Sequence, residues 1–393
     1  MARILIAWEF GRNFGHIARD LPLARACRDA GHEVFWAVPN LRAAANELAD
    51  EGFTLLQTPW IRAATRLDRA PVNFADMLLG EGYDDAPALV GALHGWVALL
   101  RLVQPAALVY DYAPTAILAA HVARVPTLIL GSGFLVPPLV SPLPSIQPWA
   151  AVAPQALVDA EARLLAHMNG ATARFGGAPL ERLADLYGQG VQCLTSFEEL
   201  DPFGPRPGVR YYGPMFALGR QAAVDWTTTG RPRVFAYLRP DVPGCEALLT
   251  ALQGLDAEVV CALPGLPPAW SQRFDRVRFH AGAVDMDRLL PGADVAVTSG
   301  SGTIPTCLLA GVPVLVAPQF VEQYLAGLRL QAYGAGLTVF RPEPPASYRA
   351  LLERLLAEPG FRTQARAFAA HHAGHDREQT GRHVFAALQD LIG

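Results

Sequence analysis

The sequence predicts an α/β protein made of two doubly wound, parallel-sheet domains, and three observations support this. At 393 residues the chain is too long for one ordinary core and suits two. Hydrophobic residues reach 51% against 17% charged, and they fall in unbroken runs rather than alternating, as strands buried on both faces of a parallel sheet do. The third observation is a strand–helix rhythm that fills the first half and restarts at Arg233.

Element by element, Arg3–Trp8 reads as an apolar first strand, followed by a glycine-containing loop and a helical pattern from about Ile17 to Ala30 that Gly31 ends. Val34–Val38 is a second strand, a helix runs through Glu47, and a third strand lies near Phe53–Leu56. Ala106–Tyr110 is another strand with Asp111 at its carboxyl end; a helix over Pro114–Ala123 and a strand over Val125–Leu130 follow. After Gly230-Arg231-Pro232 come strands over Arg233–Leu238, Ala257–Ala262, Val277–His280, Asp294–Val297 and Val312–Ala317, with helices between. Helical patterns over Tyr348–Ala357, Phe361–His371 and Arg377–Leu391 end the chain. The expected organisation is a first domain over 1–213, a poorly periodic linker over 214–230 and a second domain over 231–376. The last helix, 377–393, is expected to pack back on the first domain. Ligands of such sheets bind beyond the carboxyl ends of the strands, so two of them facing across a cleft place the expected site there.

Composition excludes several classes. The net charge is −4 with a pI near 6.2, and no basic patch marks a nucleic-acid binder. Cys27, Cys193, Cys245, Cys261 and Cys307 lie far apart with no zinc spacing and read as small core residues of a reduced, cytoplasmic compartment. The first apolar run is too short for a signal peptide. Val125 to Val158 carries no charge, but Pro137, Pro138, Pro142, Pro144, Pro148 and Pro154 would break a spanning helix; it reads as a strand and a long apolar loop. That loop, Phe134–Trp149, together with Trp60, Trp96 and Phe74, is the expected pocket for an apolar ligand, the alternative being a buried connection.

Local motifs narrow the ligand. The loop Trp8-Glu9-Phe10-Gly11-Arg12-Asn13-Phe14-Gly15-His16 is no G-x-G-x-x-G, and the second strand ends Ala37-Val38-Pro39-Asn40 without an acid for a ribose, so a nicotinamide or flavin enzyme is disfavoured. There is no Walker A sequence, and Gly131-Ser132-Gly133 is not a nucleophile elbow. In the second half the strand Asp294–Val297 runs into Thr298-Ser299-Gly300-Ser301-Gly302-Thr303 and a helix. Backbone N–H groups of such a turn suit a diphosphate. An ordinary N-capped turn accounts for it equally well.

The run Leu289-Leu290-Pro291-Gly292-Ala293-Asp294, the S-G-S-G-T turn, Ala310-Gly311-Val312-Pro313 through Gln319-Phe320-Val321-Glu322-Gln323, and Tyr333-Gly334-Ala335-Gly336 resemble the donor-binding signature of family 1 glycosyltransferases. The nearest flavour is that of the bacterial macrolide and antibiotic glycosyltransferases. Gly15-His16-Ile17, Leu21-Pro22-Leu23-Ala24 and Ala30-Gly31-His32-Glu33-Val34 are similar to the same family's opening pattern. The resemblance implies the GT-B architecture, an acceptor-binding first domain and a donor-binding second one, and inverting, metal-independent transfer from a UDP- or dTDP-sugar with no cofactor.

It also implies roles. His16 would deprotonate an acceptor hydroxyl while Asp111 holds the imidazole tautomer, a pairing worth ~10²–10⁴-fold in rate. Without that role, His16 is a helix-start residue and Asp111 a strand-end cap. Glu322 and Gln323 match the pair that holds the donor sugar, Thr298 to Thr303 the diphosphate turn, and Ala283, Val284 and Thr306 the nucleoside positions. Phe134, Trp149, Trp60 and Phe74 would line the pocket for an apolar small-molecule or lipid-linked acceptor. The sequence departs from the family in three places. Val297-Thr298 stands where a phosphate-contacting histidine is usual, Thr306 replaces a ribose-gripping glutamate, and Arg239-Pro240 replaces a Gly-Ser turn. Arg239 is a candidate for the missing positive charge, since a guanidinium grips a diphosphate bidentately; otherwise it closes a surface turn. The histidines His371, His372 and His375 look superficially like a metal cluster, but no metal is expected. A silent nucleotide-sugar-binding protein and a sugar-nucleotide epimerase of the same fold are the competing readings.

Overall fold

The computed structural model describes residues 1–11, 15–61, 69–216 and 221–393. Positions 12–14 of the first loop and 217–220 of the expected linker lie outside the described residues. The chain divides into two compact units, one of Met1–Phe197, Pro205–Ala217 and Asp376–Gly393, the other of Glu198–Gly204 and Leu218–His375.

The first unit is a seven-stranded sheet of β1 (Arg3–Trp8), β2 (Glu33–Val38), β3 (Thr54–Gln57), β4 (Ala107–Asp111), β5 (Thr127–Gly131), β6 (Val191–Leu194) and β7 (Arg210–Tyr211). The strand order is 3-2-1-4-5-6-7, and every pairing is parallel. Its helices are α1 (Gly15–Asp29), α2 (Leu41–Leu48), α3 (Phe74–Leu78), α4 (Ala86–Val103), α5 (Pro114–Ala123), α6 (Pro154–Ala173) and α7 (Leu183–Gly188). The runs are unbroken because both faces are covered. Leu5 and Ala7 of β1 join one core with residues of α4, α5 and α6, while Ile4, Ile6 and Trp8 join another with residues of α1.

The second unit is a six-stranded parallel sheet of β8 (Arg233–Tyr237), β9 (Glu258–Ala262), β10 (Val277–His280), β11 (Val295–Thr298), β12 (Val314–Val316) and β13 (Gly336–Thr338). The order is 10-9-8-11-12-13, the same winding as in the first unit. Between and after them lie α8 (Cys245–Gln253), α9 (Trp270–Arg273), α10 (Met286–Leu289), α11 (Thr303–Leu309), α12 (Val321–Tyr333), α13 (Pro345–Ala357) and α14 (Pro359–His371). The last helix, α15 (Arg377–Ile392), belongs to the first unit: Asp376 caps it by accepting the Gln379 N–H, and the Thr380 hydroxyl donates to the Tyr212 carbonyl at 2.9 Å. Val384 and Leu388 are buried in the core beside α1.

Hydrophobic pattern did not find every element. Among the described residues α4 is the one helix long and apolar enough to cross a membrane. Its buried positions Leu89, Leu93, Trp96, Leu100 and Val103 follow a 3.6-residue stripe, but apolar residues such as Leu102 on the other side obscure it in the sequence; it packs against α5 and α6 in the first core. Strands β6, β7 and β13 have four, two and three residues, too few for a pattern. The expected linker is also more structured than its sequence suggested. Ala222 pairs with the stretch around Val284, the Trp226 indole donates to the Leu289 carbonyl at 2.9 Å, and Thr227 and Thr228 donate to Glu258.

Candidate functional site

In a doubly wound sheet the chain leaves two central neighbouring strands toward opposite faces, and the crevice at their carboxyl ends is open to a ligand. In the first unit those strands are β1 and β4, with Trp8 level with Asp111. His16, in the first turn of α1, turns its Nδ1 to Asp111 Oδ2 at 2.8 Å. The imidazole lies between two parallel rings, Trp8 at 4.9 Å and 17° and Tyr112 at 6.4 Å and 10°. Trp8 is itself fixed by its indole N–H donating to the Phe10 carbonyl at 2.5 Å. The other ring nitrogen, Nε2, faces Gly11, where a Cβ would come within 2.6 Å of it and where φ is +97°. A side chain there would be strained and would displace the ring.

The pair sits in a buried charge network that pattern reading missed. Arg19, only 6% exposed, donates to Asp111 Oδ1, and its Nη2 lies 3.0 Å from His16 Nδ1 while its Nε reaches Asp20 Oδ1 at 3.4 Å. Burial raises the Asp20 carboxyl well above the carboxylate range, helped by the charge of Asp111. Burial also pushes Asp111 up, but Arg19 and His16 outweigh it and hold this carboxyl at about 2. Two adjacent buried acids thus divide their roles, one neutral and one ionised. With the Nδ1–H donating to the Asp111 carboxylate, the lone pair is left on Nε2, and the imidazole can accept a proton there. Arg19 follows His16 by three positions, one turn along the same helix face. That spacing was the available signal.

Beside this network Glu9 is buried at the end of β1, its Oε2 accepting the Thr115 N–H at 2.9 Å. Burial pushes its carboxyl up to about 7. The expected acceptor residues do not form one surface. Phe74 and Phe134 are core, edge to face at 6.3 Å, and Trp96 is fully buried, whereas Trp60 and Trp149 are 74% and 44% exposed. The uncharged loop borrows polar partners from distant segments: Glu161 accepts from Ser141 and from the Leu143 N–H, and buried Arg206 donates to the Gly133 and Val136 carbonyls.

In the second unit the equivalent central strands are β8 and β11, with Tyr237 level with Thr298. A small pocket beyond their ends is lined by Leu238, Arg239, Gly244, Cys245, Ser299 and Ala317, among others. It brings Arg239 together with Ser299, the first residue of the S-G-S-G-T turn. The Arg239 guanidinium is exposed and lies 3.2 Å from Asp241. The turn is laced to Gln319 and to Glu322 at the start of α12. Thr298 Oγ1 accepts the Gly300 N–H at 3.1 Å, Gln319 donates to Ser299 Oγ at 2.9 Å, and the Ser301 hydroxyl donates to Glu322 at 3.0 Å. Glu322 is half-buried. Gln323 is buried and its amide oxygen accepts the Gln319 N–H at 2.8 Å, which leaves its NH₂ donors for other partners. Thr303 and Thr306 are buried in α11, and Val284 is buried too. The Ala283 carbonyl is taken by the Ala222 N–H at 2.9 Å. The expected nucleoside positions are therefore largely committed to the fold. Gly336 of the signature is structural: a Cβ there would meet the Val314 carbonyl oxygen at 2.2 Å. All five cysteines are free and buried; burial pushes the Cys27 thiol up to about 12 and Cys193 to about 11, which leaves them protonated.

Comparison with known proteins agrees with this architecture. Residues 246–380 match the family described as the C-terminal domain of erythromycin biosynthesis protein CIII-like proteins. The chain is 27% identical to aklavinone 7-beta-L-rhodosaminyltransferase of Streptomyces galilaeus over 96% of its own length and 93% of that protein's. Among solved structures, the spinosyn rhamnosyltransferase SpnG complexed with spinosyn aglycone superposes with a TM-score of 0.69 at 18% identity, covering all of both chains. Glycosyltransferase VinC in complex with dTDP does so at 0.67 and 19%, over 99% of this chain and 100% of VinC. The chain has the GT-B fold and is a glycosyltransferase enzyme, similar to the macrolide and antibiotic glycosyltransferases.

Proposed function

We propose that the chain is an inverting glycosyltransferase that moves a sugar from a nucleoside diphosphate donor to a hydroxyl of an apolar acceptor, with His16 as general base. The observation that carries this reading is the His16–Asp111 contact of 2.8 Å at the end of the first unit's central strands, with the imidazole held between Trp8 and Tyr112. Nε2 takes the proton of the acceptor hydroxyl as its oxygen bonds to the anomeric carbon. The bond from that carbon to the diphosphate oxygen breaks on the opposite face, so the configuration inverts. The imidazolium is offset by the Asp111 carboxylate and later releases its proton to water. Arg239 and the N–H groups of Ser299, Ser301 and Gly302 meet the charge of the departing nucleoside diphosphate, with no metal needed for transfer. Glu322 and the Gln323 NH₂ hold the sugar hydroxyls.

A neighbour of this fold binds dTDP and another a spinosyn aglycone, which favours dTDP over UDP and a polycyclic or macrolide-like acceptor. The test is incubation with dTDP- and UDP-sugars and a panel of such aglycones, following nucleotide release in wild type and His16→Ala. Release that is lost in the variant while donor binding persists supports the reading. Donor binding with no release in either protein would instead favour a silent binding protein, and no binding of any nucleotide sugar overturns the proposal.

A further inference from the structure

We propose that Glu199, His371 and His372 form a binding site for a zinc-class divalent cation, separate from the transfer chemistry. Glu199 lies in Glu198–Gly204, a short stretch that belongs to the second unit although the chain on either side of it belongs to the first. His371 ends α14 and His372 caps it. One ligand atom from each of the three lies within 4.8 Å of the others. Glu199 Oε1 is 3.0 Å from His372 Nε2, and Glu199 Oε2 is buried with no hydrogen-bond partner. The His372 ring is packed against Phe368 at 4.5 Å and the two imidazoles stand at 83°. One ligand is therefore held by packing, while exposed His371 is free to adjust.

The donor set selects the ion. Two imidazoles and one carboxylate are the borderline ligands that suit zinc, whereas magnesium and calcium want oxygen. Ligand atoms 2.0–2.1 Å from a tetrahedral ion stand about 3.4 Å apart. The Glu199–His372 spacing is already close to that, and His371 closes the set by rotating its side chain. A salt bridge alone would leave Glu199 Oε2 without a partner; a cation bound by both oxygens satisfies it. The three ligands come from the Glu198–Gly204 excursion and from the end of α14, just before the chain passes back to the first unit at Asp376. The ion would fasten one to the other.

The test uses the full-length protein, freed of metal with EDTA and titrated with Zn²⁺ alone by calorimetry, with Mg²⁺ as comparator. One Zn²⁺ per chain is expected, with a rise in Tm that EDTA reverses. Glu199→Gln, His371→Gln and His372→Gln should each weaken binding at least about tenfold. His371 is exposed, so His371→Gln should keep the wild-type Tm in EDTA and serves as the variant whose folding is not in question. No Zn²⁺ uptake, Mg²⁺ bound as tightly as Zn²⁺, or Zn²⁺ bound equally well by His371→Gln would overturn the proposal, the last by placing the ion elsewhere, such as on cysteine thiols.

Discussion

Replacing Glu9 by glutamine tests whether the first unit carries a buried charge at neutral pH. Glu9 is 3% exposed, its Oε2 accepts the Thr115 N–H, and its Oε1 has no hydrogen-bond partner. Burial raises the carboxyl from an ordinary 4.5 to about 7. Between those values the folded protein keeps a proton that the unfolded chain has released. The stability Glu9 contributes is therefore present in full below pH 4.5 and is lost as pH rises through 7. At about 1.4 kcal/mol per pH unit this interval amounts to roughly 3 kcal/mol. Glutamine is neutral throughout and keeps an oxygen for the Thr115 N–H. Glu9→Gln should therefore match wild type near pH 4.5 and be more stable by about 3 kcal/mol at pH 8. Urea unfolding of both proteins, followed by tryptophan fluorescence at half-unit steps from pH 4.5 to 8, gives the difference curve. Parallel curves over the whole range, or a variant less stable at pH 8, would refute the reasoning.

Three further outcomes follow from the same geometry. Asp111→Asn should lower kcat by about 10²–10⁴-fold while leaving donor affinity unchanged in calorimetry, since Asp111 contacts His16 and Arg19 on the first unit only; an unchanged kcat would remove its role in orienting the imidazole. Arg239→Ala should weaken dTDP binding by roughly tenfold or more, the worth of a charged hydrogen bond, and an unchanged Kd would return Arg239 to the role of a turn-closing residue. Gly336→Ala should destabilise the protein by at least about 2 kcal/mol, because its Cβ meets the backbone oxygen of Val314, which cannot rotate away. A wild-type urea midpoint would contradict that.

Much of this protein is legible in its sequence. Unbroken apolar runs such as Arg3–Trp8, and the restart at Arg233, determine two doubly wound sheets, because a strand buried on both faces has no polar side. The positions of His16 after β1, Asp111 at the end of β4, Arg239 after β8 and Ser299 after β11 follow from the same rhythm, since loops at strand ends converge wherever the winding reverses. Short-range patterns carry that much because hydrogen bonds and periodicity are local. They carry less where an element is apolar on most sides, as α4 is, or only two to four residues long, as β6, β7 and β13 are.

Tertiary structure alone decided the environments of the side chains. Phe74, Phe134, Trp60 and Trp149 look alike as apolar residues, yet two are core and two are exposed; burial depends on what packs around them from distant segments. Asp20 and Asp111 are both aspartates, but Arg19 and His16 settle which of them is ionised. Glu9 is distinguished from any other glutamate only by the desolvation that α5 and the surrounding aromatic core impose. Glu199 meets His371 and His372 across 172 and 173 residues of chain. Periodicity specifies which face of an element is buried; partners so far apart in the chain are brought together only by the packing of the whole sheet.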